Sequence, residues 1–119
     1  MKKLLLILSL VSVASAANAG AGFDEAFGLV VKRWSFIEAM KNMCQVRDPY
    51  QTQRVEEAIA NLPNLSELKA QMHDAREKAI IETGGPCGSD VRAMLTKHEG
   101  LLDGDLEILQ AAIESDFGQ

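Results

Sequence analysis

Histidine and cysteine each occur only twice in this 119-residue chain, and proline three times. There is no Cys-x-x-Cys pair, so the usual arrangement for thiol–disulfide catalysis at a helix start is missing. His73 and His98 form neither a His-x-x-x-His nor a Glu-x-x-His pair, so neither helix-borne metal pattern is present. The chain also lacks a Gly-x-Ser-x-Gly elbow, a phosphate-binding loop, a His-Glu-x-x-His motif and a dinucleotide fingerprint. These gaps argue against an enzyme, a cofactor and a bound metal. No run alternates with period two, so no strand is expected. Repeats and low-complexity segments are absent as well.

Basic side chains are scarce. Twelve Lys and Arg face seventeen Asp and Glu, and two of the lysines, Lys2 and Lys3, lie at the extreme N-terminus. Without them the balance is ten against seventeen, a net −7. Such a chain does not attract phosphate backbones or anionic lipid, which excludes nucleic acid as a partner. From Gly100 onward there are five acids and no Lys or Arg.

One long apolar run is present. Met1-Lys2-Lys3 is followed by ten apolar-rich residues, Leu4 to Val13, and then by Ala14-Ser15-Ala16 and Ala17-Asn18-Ala19. A positive start, a short apolar centre and small-x-small sites are the order of a secretory signal peptide. The run is about half of the ~20 residues that a spanning helix needs. The expectation is a bacterial leader over residues 1–19, cleaved after Ala19 or alternatively after Ala16. A single domain over 20–119 is then expected in the periplasm or outside the cell, without stable membrane insertion.

In an oxidising compartment the only two cysteines, Cys44 and Cys87, are expected to form one structural disulfide. Around them the apolar pattern is helical. Residues 23, 27, 30, 34, 37, 40 and 44 form one stripe, widened by Leu29, Phe36 and Met43. Asp48-Pro49-Tyr50-Gln51 opens a second helix as cap, first-turn proline and capping-box partner, and Pro63 closes it. Asn64 opens a third, which runs to about Glu82. The Thr83–Gly88 segment breaks the pattern. Ser89-Asp90 opens a fourth helix ending near Gly100, and Asp103 or Asp105 opens a fifth. The fold expected is all-α, a small bundle of about five helices with one disulfide, with Trp34, Met40, Met43, Met72 and Met94 in the core.

Asp103, Asp105, Glu107 and Glu114 stand at positions 1, 3, 5 and 12 of a would-be calcium loop. However, position 6 is Ile108 where an EF-hand needs glycine. These acids are better explained as helix-start residues facing the macrodipole. His73 and His98 are expected at the surface. Lys32, Arg33, Lys41, Arg47 and Arg54 gather near the first helix junction, an arrangement expected to be a solvated basic face. Asp103, Asp105 and Glu107 form the opposing acidic group, the candidate surface for a basic protein partner.

The function these features favour is that of a small exported non-enzymatic binding protein acting on a protein partner. An inhibitor or immunity-type protein is its most specific form. The alternatives are an envelope-stress chaperone that exposes apolar surface and a small metal-binding protein or enzyme. Size, compartment and a single disulfide are shared with immunity proteins, acid-protective chaperones and inhibitors of cell-wall hydrolases, but no motif is shared and no functional residue carries over.

Overall fold

The computed structural model describes residues 19–118, with side chains from Gly22 onward; residues 1–18 of the expected leader lie outside the described residues. Four helices follow one another: α1 (Ala19–Cys44), α2 (Tyr50–Ile59), α3 (Leu65–Glu82) and α4 (Ser89–Phe117). No strand is present among the described residues.

The heptad-spaced stripe of α1 forms the centre. Phe23, Phe27, Val30, Trp34, Ile37 and Met40 are all buried. On α4 they meet Leu95, Leu102, Leu109 and Ile113, also buried. Four cross-connections show that the two long helices are antiparallel. The Phe23 amide donates to Asp116 Oδ2, and the Phe23 ring sits edge-on to Phe117. Arg33 reaches Asp105, and Phe36 packs against His98. α3 packs on another side of α1 and does not meet α4, so α1 lies between them. α2 touches all three, and the Trp34 Nε1–H donates to Thr52 Oγ1 on it at 2.9 Å. The Cys44–Cys87 disulfide ties the end of α1 to the loop before α4, with Cα atoms 5.0 Å apart.

Two expected helices are one. The sequence places a stop near Gly100 and a start at Asp103 or Asp105, yet α4 runs unbroken through Gly100 and Gly104. Each interior glycine costs about 1 kcal/mol relative to alanine. Fully burying one leucine is worth about 2 kcal/mol, and Leu95, Leu102 and Leu109 recur every seven residues across the glycines. The buried stripe therefore outweighs the local stop signals.

Other expectations shift at the helix ends. Asp48 Oδ1 accepts the Tyr50 amide, but Pro49 occupies the N-cap position and Gln51 makes no capping box. Instead Gln51 is buried and its Oε1 accepts from Arg54. α2 ends at Ile59, and Leu62 turns inward beyond it. α1 ends with Gln45 in the left-handed region at φ 58°, where Val46 N donates to the Lys41 carbonyl. That six-to-one bond is a Schellman-type stop made without glycine. Of the four methionines expected in the core, Met40 and Met72 are buried and Met43 is half-buried. Met94 is exposed because it stands one residue off the Leu95 stripe.

Candidate functional site

The basic group and the acidic group do not form two poles. Two members of each meet across the helix packing. Arg33 Nε lies 2.8 Å from Asp105 Oδ2, and Arg54 Nη2 lies 2.8 Å from Asp103 Oδ1. The acidic trio divides because consecutive helix positions turn by about 100°. Asp103 and Glu107, four apart, share the side of α4 that faces α2. Asp105 lies nearly opposite them and points to α1. The partly exposed pairs are worth at most about 1 kcal/mol each, so they orient side chains more than they stabilise the fold.

On the α2 side the pairing builds a shallow cleft of about 530 Å³, lined by Tyr50, Arg54, Asp103, Leu106, Glu107 and Gln110. Tyr50 opens α2 and is exposed. One turn later the Arg54 guanidinium lies over its ring, 5.5 Å from the centroid. The same guanidinium bonds Gln51 Oε1 and Asp103, so three partners hold it in place. Glu107 stands exposed at the rim. The cleft offers an exposed aromatic ring, a held guanidinium and two carboxylates. Its lining holds no Ser, Cys or His.

A second cleft, of about 360 Å³, lies under the α1–α2 turn. Three of its charged side chains, Glu38, Lys41 and Arg76, are turned on one another. Lys41 is only 5% exposed, which corrects its expected place on a solvated face. Its ammonium donates to Glu38 Oε2 at 3.0 Å and to the Asp48 carbonyl. Glu38 Oε1 also accepts from Arg76 Nε at 3.3 Å. This network closes the turn between α1 and α2. Its sequence signal is spacing, since Lys41 falls seven residues beyond Trp34 on the buried stripe.

His73 is exposed, while His98 is half-buried against Phe36 with its Nδ1 2.9 Å from the Met94 carbonyl. Residues 103–114 are helix throughout, so the acids spaced like a calcium loop are carried on α4. Among the described residues no three His, Cys, Asp or Glu side chains gather as a metal-binding group, and no helix is long and apolar enough to cross a membrane. The chain matches no protein-family model, no curated protein and no solved structure.

Proposed function

We propose that this chain is a small exported, non-enzymatic binding protein, and that it engages a protein partner through the α2–α4 cleft. An inhibitor or immunity-type role is its most specific form. The observation that carries this reading is the exposed Tyr50 ring beneath a guanidinium held by three partners. Tyr and Arg are the side chains that most often dominate binding energy when they anchor an interface, and a held Arg loses little rotamer freedom on docking. Asp103 and Glu107 beside them favour a partner with Lys or Arg at the matching position. Asp105, committed to Arg33, takes no part. A chaperone role is the second reading, favoured by apolar side chains exposed elsewhere on α1 and α4.

Crosslinked capture from the envelope extract of the source organism tests this, with the oxidised protein as bait and Tyr50→Ala and Glu107→Lys as comparison baits. One partner at fixed stoichiometry, lost from both variants, is the result expected. Equal capture by all three baits would remove the cleft from the account. A spread of unrelated clients held equally by all three would favour the chaperone.

A further inference from the structure

The face of the α1–α4 pair turned away from α2 carries six apolar side chains in register. Leu29, Phe36 and Met43 stand seven apart on α1, and Met94, Leu101 and Ile108 stand seven apart on α4. The antiparallel pairings of Arg33 with Asp105 and Phe36 with His98 bring Leu29 level with Ile108, Phe36 with Leu101, and Met43 with Met94. Four of the six are largely open to solvent: Leu29 53%, Met94 43%, Leu101 42% and Ile108 55% exposed. Phe36 also lines an apolar groove of about 430 Å³ that α3 edges with Ala75 and Ala79. Among the described residues nothing covers this face, because α3 and α4 do not meet over it.

We infer that this face is the self-association surface of the protein and that its occupant is a second copy of the same chain. The first argument is register. A two-fold axis along the helices sets Leu29, Phe36 and Met43 of one copy over Ile108, Leu101 and Met94 of the other. The three rungs then become three layers of four, the core geometry of an antiparallel four-helix bundle. The second is area. Two helices side by side over the length of α1, 26 residues, present a face about 39 Å long and about 20 Å wide, on the order of 800 Å² per copy. A standard interface buries about 800 Å² per partner.

The third argument is charge. The chain carries a large excess of acid, so two copies repel over most of their surfaces. On this face the exposed flanking charges are Glu25, Glu82 and Asp90 against Lys32, Lys78 and Lys97, which balance. Arg33 and Asp105, between the two ladders, neutralise each other. The apolar ladder thus lies where two like-charged copies can approach. A basic partner is drawn instead to the acidic remainder, including the α2–α4 cleft, so this inference does not depend on the partner proposed above.

Sedimentation velocity on the oxidised protein across a micromolar to millimolar series tests it. A concentration-dependent dimer is expected. Leu101→Glu, at an exposed position, should weaken it by at least about tenfold with helix content unchanged. Ile108→Lys should do the same, and Tyr50→Ala on the opposite side should leave the dimer intact. A monomer at every concentration would overturn the inference. So would a dimer indifferent to both ladder variants, or one abolished by Tyr50→Ala.

Discussion

At the residue scale, charge decides more by place than by sign. Lys41 occupies a core position of α1, where its Nζ donates to Glu38 and to the Asp48 carbonyl. Removing one partner from a buried pair costs more than replacing the pair with apolar groups. Glu38→Gln should therefore lower stability by about 3 kcal/mol, whereas Lys41→Met with Glu38→Gln should recover most of that loss. Urea unfolding of the three proteins measures both. Gln45 holds a left-handed conformation that costs a side-chain-bearing residue about 1 kcal/mol. Gln45→Gly should raise the urea midpoint, with a gain of about 0.5 kcal/mol after the added freedom of the unfolded chain. These positions were hard to read in the sequence. Lys41 sits among four other basic residues that reach solvent or surface acids, and only its seven-residue offset from Trp34 marks it as different.

At the scale of elements, the stripe of α1 and the loop carrying Cys87 were legible because each has a strong local signal, helical spacing in one and clustered glycine and proline in the other. The junction inside α4 was not. Gly100, Asp103 and Gly104 carry the local marks of a stop and a start, and only burial against α1 overrides them. The site inherited that error. Asp103, Asp105 and Glu107 read as one acidic group when they open a helix, but inside a continuous helix they fall on two sides. In the sequence Tyr50 reads only as part of a helix start, although its spacing of four from Arg54 is visible there. No neighbour lies within 4 Å of a Cβ built on Gly100. Gly100→Ala should then stabilise the protein by about 1 kcal/mol, the full propensity difference. A loss of stability in thermal unfolding would mean that α4 needs a weak point there.

At the scale of the whole molecule, one covalent tie connects the end of α1 to the start of α4. Both helices already pair along their length, so the disulfide acts chiefly on the unfolded chain. Its 43-residue separation corresponds to about 4 kcal/mol in the chain-entropy model. Cys44→Ser with Cys87→Ser should lower stability by that order while the helical signal at low temperature persists. The resulting picture is a bundle with two different faces, a charged cleft with an aromatic floor on the α2 side and an electrically balanced apolar ladder opposite. The cleft carries the account of function. The most direct test is calorimetric titration of the captured partner into wild-type protein and into Tyr50→Ala. Stoichiometric binding weakened by at least about 2 kcal/mol in the variant, the mark of an interface anchor, is the result expected. Equal affinity for the two proteins would contradict the account.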